Sequence, residues 1–294
     1  MMEGGVIQKA LQLPRYMVVL LWVLTGAGVA AFIVGALGVS PLRAWAIFLV
    51  NLLFFSGMAQ GGVVFSATLH LTEARWGKPL ERLSQAGAFF LPISLILFVI
   101  LFLGSEHLFP WLKEPIPGRE PWLNLPFLFL RDVLGLLALI VLSLLFLYFS
   151  LRPGCGLLKE KGSPGRGTLA RFLTSGWRGL EEERERSKRL NGVLSPLIHI
   201  LYAFVFSVIA FDLIMALDPH WYSTLFGGYY FIGSYYIGLA ALAITAISAG
   251  RGLGVERLSA EPLLHDLGKL IFGFCCFWMA LVWSQFIVIW YGNL

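Results

Sequence analysis

The chain has 294 residues, of which 58% are hydrophobic and 13% charged. Its mean hydropathy of +0.78 excludes an ordinary soluble globular domain. A net charge of +5 fits basic loops at a membrane surface, so membrane lipid is expected as a partner and nucleic acid is not.

A hydrocarbon core about 30 Å thick takes roughly 20 apolar residues per helix. About seven segments meet that test: 16–37, 43–70, 85–103, 125–151, 194–217, 223–248 and 267–290. Lipid cannot satisfy loose backbone groups, so each must be helical. The chain therefore reads as all-α, a polytopic transmembrane helix bundle forming one integral membrane domain over 1–294. The first segment is long enough to stay as an anchor, and no small-residue cleavage site follows it. Pro92 and Pro196 fall inside spans and are expected to kink them. Gly57-x-x-x-Gly61 lets a neighbouring backbone come close.

Orientation follows from lysine and arginine. With the N-terminus in the cytoplasm, the inner side holds Lys9, Arg15, Arg75, Lys78, Arg82, the basic run over 152–189, Arg251, Arg257 and Lys269. The outer side holds only Arg43, Lys113 and Arg119. This bias obeys the positive-inside rule and puts the C-terminal end outside. The longest connection, about 152–191, is then a charged cytoplasmic loop. Its run EEERER at 181–186 has the spacing of a solvated helix.

Several motifs are missing. There is no C-x-x-C-H for c-type haem, no multi-cysteine iron–sulfur pattern, no phosphate-binding glycine loop and no zinc-type cluster. Cys155, Cys275 and Cys276 form neither a disulfide framework nor a metal spacing. No redox cofactor or metal is expected on this chain.

Ionisable residues inside the spans therefore carry the functional signal, because a charge in lipid is costly unless it is paired or lines a wet cavity. Arg131 and Asp132 lie about 9 Å below the outer end of the fourth span at 1.5 Å per residue. Asp212, near the outer end of the fifth, is the natural ion-pair partner of Arg131. Neighbours on a helix point about 100° apart, so Arg131 and Asp132 are expected to need different partners or to share one loosely. Tyr229, Tyr230, Ser284 and Gln285 complete an outer cluster, and Asp218-Pro219-His220 turns the chain at the surface. The inner set is His70, Glu73, His199, His265, Asp266 and Lys269, with His199 the position most suited to proton handling. Plainer readings exist: Arg131 snorkels, Asp212 pairs structurally, Asp266 and His265 cap a helix, and Gln60 and Gln285 act as interhelical glue.

FDLIMALDPHWYSTLF (211–226) and HDLGKLIFGFCCFWMALVWSQFIVIWYGN (265–293), with LHLTEARW (69–76) and WLNLPFLFLRD (122–132), resemble the F subunit of bacterial alternative complex III. That family is related to the membrane subunits of the NrfD/polysulfide-reductase type, which are built from four-helix-bundle units. The resemblance implies a multi-pass subunit of the bacterial inner membrane, in a respiratory complex that passes electrons from quinol or menaquinol to cytochrome c or an oxidase. Its partners would be an NrfD-like C subunit and subunits carrying iron–sulfur clusters and haem c. The C subunit is the better candidate for the quinol site. The F subunit would contribute to assembly and to a transmembrane proton route, placed here at Asp212, Arg131, Asp132, Asp218, His220, His199 and Lys269. Family members continue with further helices beyond the WYGN-like segment, so either a truncated or split version or an incomplete sequence is expected.

Two other functions compete. The chain itself can form the quinol pocket, with Asp212 and His220 as hydrogen-bond partners of a quinol hydroxyl. A membrane transporter is the other, which the lack of repeat symmetry and of paired broken helices disfavours.

Overall fold

The computed structural model describes residues 14–161, 168–218, 220–253, 255 and 258–293. Lys9, Arg257 and Pro219, used above for orientation and for the surface turn, lie outside them. Among the described residues every regular element is helical, and seven helices are long and apolar enough to cross a membrane. They are α1 (Arg15–Gly38), α2 (Pro41–Leu71), α3 (Lys78–Leu108), α4 (Leu125–Glu160), α6 (Leu180–Leu217), α7 (Phe226–Gly250) and α8 (Glu261–Gly292). A short helix, α5 (Thr168–Leu173), lies between α4 and α6.

The helix starts are written locally. Proline occupies the first turn of α2, α4 and α8, where its missing N–H costs nothing. Asn124 caps α4 by accepting a hydrogen bond from the Phe127 N–H at 3.3 Å. Pro92 follows a 3₁₀ turn, Ala86–Phe90, that interrupts α3. Pro196 sits within the unbroken α-helical part of α6, Leu180–Ile209.

The ring of α2, α3, α4 and α6 is the heart of the fold: α2 packs on α3 and α6, and α4 packs on α3 and, most extensively, on α6. Phe65, Phe109, Phe146 and Phe206 are fully buried in one contiguous apolar core. Outside the ring, α7 lies along α2, and α8 lies along α7. Glycines set the α2–α7 spacing. A Cβ on Gly61 would sit 2.7 Å from the Ser234 carbonyl oxygen, and one on Gly238 would sit 2.8 Å from the Gly61 carbonyl carbon. The other residue of the motif, Gly57, abuts the Ser234 side chain. By contrast α1 buries nothing along its α-helical length and joins the bundle near its end, where Phe32 packs edge-on to Trp45.

The charged connection differs from the expectation of a loop. Helix α4 runs on to Glu160, and α6 begins at Leu180. At 38 residues, α6 is about 57 Å long at 1.5 Å per residue, well beyond the hydrocarbon thickness. Glu183, in the run read as solvated, is 1% exposed and binds Arg152 through two hydrogen bonds of 2.6 and 2.8 Å. Arg152 also donates to the Tyr148 hydroxyl at 2.5 Å and to the Gly176 carbonyl at 2.9 Å. The periodicity of a charged helix could be read from sequence. Which of its acids turned inward depended on an arginine thirty-one positions away.

Candidate functional site: an acid pair and a guanidinium between α4 and α6

The second turn of α4 carries Arg131 and Asp132. Opposite them, α6 leaves regular α-geometry for a π-turn, Ala210–Ile214, and then a 3₁₀ turn, Met215–Leu217. A π-turn admits an extra residue and re-aims the side chains around it, and such turns recur at functional sites. Asp212 lies in this one and is fully buried.

Both oxygens of Asp212 are engaged. Arg131 Nε donates to Oδ2 at 2.6 Å and Nη2 to Oδ1 at 2.6 Å, a bidentate fork. Trp122 Nε1 donates to Oδ1 at 2.9 Å. The Arg131 guanidinium also donates to the Trp122 carbonyl at 3.1 Å and lies 3.9 Å from the centre of the indole ring. A second ring, Phe127, lies 4.8 Å away on a cation–π contact. Arg131 is thus held inward by its carboxylate and covered by aromatic faces; it does not snorkel.

Asp132 is the unusual member. It is 2% exposed, and neither carboxylate oxygen has a hydrogen-bond partner among the described residues. It lies within electrostatic reach of both Asp212 and Arg131. Of the two arrangements expected for Arg131 and Asp132, the loose sharing of one partner is the one found: Arg131 binds Asp212 directly, and Asp132 only lies near it. Two carboxylates beside one guanidinium leave an unbalanced negative charge in a dry site unless one of them holds a proton. A proton between the acids would also supply the partner that the Asp132 oxygens lack.

Of the other predicted site residues, Asp218, His220, His199 and Lys269 are not hydrogen-bond or ion-pair partners of this cluster among the described residues. Asp218 accepts a 3.3 Å hydrogen bond from the His220 backbone N–H, which makes a local turn, and both side chains are exposed. The Lys269 ammonium lies 3.4 Å from Asp266 at an exposed end of α8. Both ring nitrogens of His199 are occupied, one 2.9 Å from Thr68 Oγ1 and the other 2.7 Å from the Ser195 carbonyl. Gln285 bonds to Ser223, and the Tyr229 ring stacks on Trp278 at 4.9 Å, so these outer residues seat α8 on its neighbours.

No protein-family model matches the chain, and no curated protein does. The site is therefore interpreted from its own chemistry.

Of a buried polar column inside the ring, sequence reading pointed only to Gln60, as interhelical glue. At the end of the ring away from the acid pair, Gln85 Nε2 donates to Ser66 Oγ at 2.8 Å and to Ser150 Oγ at 2.9 Å. Ser150 Oγ lies 3.1 Å from Glu81 Oε1, and Arg82 closes the group by donating to Gln85 and Ser150. Nearer the acid pair, Gln60 on α2 reaches across to Ser143 on α4 at 3.1 Å. One turn from Gln60 toward the acid pair, the Ser56 hydroxyl is buried without a hydrogen-bond partner among the described residues. Asp132, Ser143 and Ser150 share one face of α4, since spacings of 11 and 7 residues return to nearly the same angle at 3.6 residues per turn. That spacing is visible in the sequence, but serine and glutamine carry no charge to draw attention in an apolar run.

Proposed function

We propose that this chain is a non-redox integral membrane subunit of a quinol-oxidising electron-transfer complex, where it supports assembly and handles protons at the outer acid pair. The observation carrying the proton role is Asp132: a buried carboxyl group without a partner, beside a second carboxylate already committed to Arg131 and Trp122. Such a group costs stability, and intramembrane acids kept at that cost mark ion and proton paths. The place in a respiratory complex rests on the resemblance of the 211–226 and 265–293 segments. With it come the finer expectations of NrfD-like four-helix units, a bacterial inner-membrane location and an external C-terminal side. The ring of α2, α3, α4 and α6 accords with such a unit.

The test is purification of the tagged chain from its native membrane in mild detergent. Partners bearing c-type haem and iron–sulfur clusters, and quinol-dependent reduction of cytochrome c, are the expected result. Isolation of the chain alone, without redox centres, overturns the reading.

One observation favours a quinol pocket on this chain. A cavity of about 370 Å³ opens above the acid pair, lined by Trp122, Phe211, Met215, Trp221 and Tyr222. Its size and aromatic walls suit a ring ligand. Asp212 itself has both oxygens taken, so on this second reading the ring is held by aromatic contact rather than by Asp212. Photolabelling with a quinol analogue separates the two: label on Trp122 or Trp221 favours this pocket, and label confined to a sister subunit favours the first reading.

A further inference from the structure

We infer that protons reach the acid pair from the inner side through the interior of the α2–α3–α4–α6 ring, entering at Glu81, and that a leucine plug closes this path. The inference rests on the proton-handling reading of Asp132 and Asp212, and it replaces His199 and Lys269 as the inner end of the route.

The entrance is polar and open. A cavity of about 500 Å³ at the inner end is lined by His70, Glu73, Arg75, Lys78, Glu81 and Lys188. Glu81 is half-buried and belongs to both worlds: it lines this cavity, and its carboxylate accepts from Ser150 inside the ring. It is the carboxylate that joins bulk water to the buried column. A proton taken from cavity water by Glu81 passes to the Ser150 oxygen as that hydroxyl, turned inward, releases its own. Each oxygen ends with the bonds it began with, and only charge has moved. Gln85 orients Ser66 and Ser150 by donating to both. The next polar step, Ser143 with Gln60, lies about 10 Å further along α4; Phe146 and Leu147, 0% and 6% exposed, stand between, so this shorter gap must also wet before protons pass.

From Ser143 to Asp132 the distance along α4 is about 16 Å, and nothing polar on that face fills it. Leu136 and Leu139 occupy it, 7% and 0% exposed, and on α2 Leu52 and Leu49 lie just beyond the orphaned Ser56 hydroxyl. All four belong to one contiguous apolar core. A dry stretch of this kind bars protons until it wets. The interior of the ring is thus polar at both ends and apolar between, which is the layout of a closed conduit rather than of a uniformly packed core.

The test uses the purified full chain in vesicles of phosphatidylethanolamine and phosphatidylglycerol, with a pH dye inside and a potassium-diffusion potential imposed. Wild type should pass protons no faster than empty vesicles. Leu136→Ser/Leu139→Ser should raise the flux about tenfold, and either Glu81→Gln or Asp132→Asn on that background should return it to the wild-type rate. Flux that vanishes with Asp132→Asn but survives Glu81→Gln overturns the entry route and leaves the acid-pair reading standing. Flux indifferent to Asp132→Asn overturns both. A doubly substituted chain that elutes and melts like wild type yet stays tight overturns the plug, as does a conducting wild type. Should the double variant not fold, Leu139→Ser alone carries the same readout, with an expected rise of about threefold.

Discussion

Each carboxylate oxygen of Asp212 meets a different nitrogen of Arg131, both at 2.6 Å, across the seam between α4 and α6. The seam is an extensive helix–helix contact, the largest that α4 makes, so the ion pair fastens the ring at this end. Removing one partner strands the other charge, which costs about 3–5 kcal/mol at buried sites. Asp212→Leu should therefore sharply lower the yield and melting temperature of the detergent-solubilised chain. Arg131→Leu/Asp212→Leu should recover most of the loss, because no unpaired charge remains from the pair. A double variant no more stable than the single one counts against the pairing as the source of the effect.

A second buried pair acts at the opposite end. Arg152 and Glu183 join the projecting part of α4 to that of α6, with side chains 5% and 1% exposed. Glu183→Ala leaves Arg152 without its acid, and a loss of about 3–5 kcal/mol is expected. Limited proteolysis reports it: cleavage within 152–191 should accelerate in Glu183→Ala while the apolar spans stay protected. Exposed pairs in the same region, such as Arg178–Glu182 with side chains 59% and 56% exposed, should contribute little. Glu182→Ala is the matched control, and equal cleavage of the two variants would mean that the buried pair is not what orders this segment.

Much of the fold was legible because lipid imposes a single rule: long apolar runs must be helical, and all seven expected spans match helices to within a few residues at most of their apolar ends. The Arg131–Asp212 pair was legible for the same reason, since two lone opposite charges at one depth have few other options. What escaped was everything that depended on rotation. The π-turn at Ala210–Ile214 sets which way Asp212 faces, and no residue in FDLI announces it. Trp122 stood in plain view in WLNLPFLFLRD, yet its role as an Asp212 donor needed the fold of the preceding loop. Ser66, Gln85 and Ser150 were passed over because a hydroxyl or amide in a membrane helix can always turn to its own backbone, as Ser94 and Ser284 do.

Glycine contacts between α2 and α7 offer a test of packing without electrostatics. A Cβ on Gly61 has backbone on all sides: Ser234 oxygen at 2.7 Å, Gly238 Cα at 3.2 Å and Tyr235 Cα at 3.3 Å. None of these can rotate away, so Gly61→Ala must spread the helices, at about 1–3 kcal/mol by the usual cost of overpacking. Gly26 in α1 has nothing within 4 Å of its Cβ position, and Gly26→Ala should be neutral or slightly stabilising through helix propensity. Thermal melts of the two variants in one detergent make the comparison direct. A Gly61→Ala chain as stable as wild type would show that the α2–α7 contact is softer than its geometry indicates.

Asp132 gives the sharpest separation of function from stability. A buried polar group without a partner costs about 1–3 kcal/mol, and an apolar replacement of similar shape recovers that cost. Asp132→Leu should accordingly melt no lower than wild type, unlike Asp212→Leu one helix away. Asp132→Asn keeps the volume and polarity but cannot exchange a proton; it should melt near wild type. On the function proposed above, both should slow proton-coupled quinol turnover of the assembled complex by about tenfold or more, with assembly intact. The difference is what the geometry demands: Asp212 is ion-paired and structural, while Asp132 makes no ion pair and is buried at a cost. If Asp132→Leu instead destabilised the chain as Asp212→Leu does, Asp132 would be a structural acid with a partner supplied from outside the chain, and its place in a proton route would lapse.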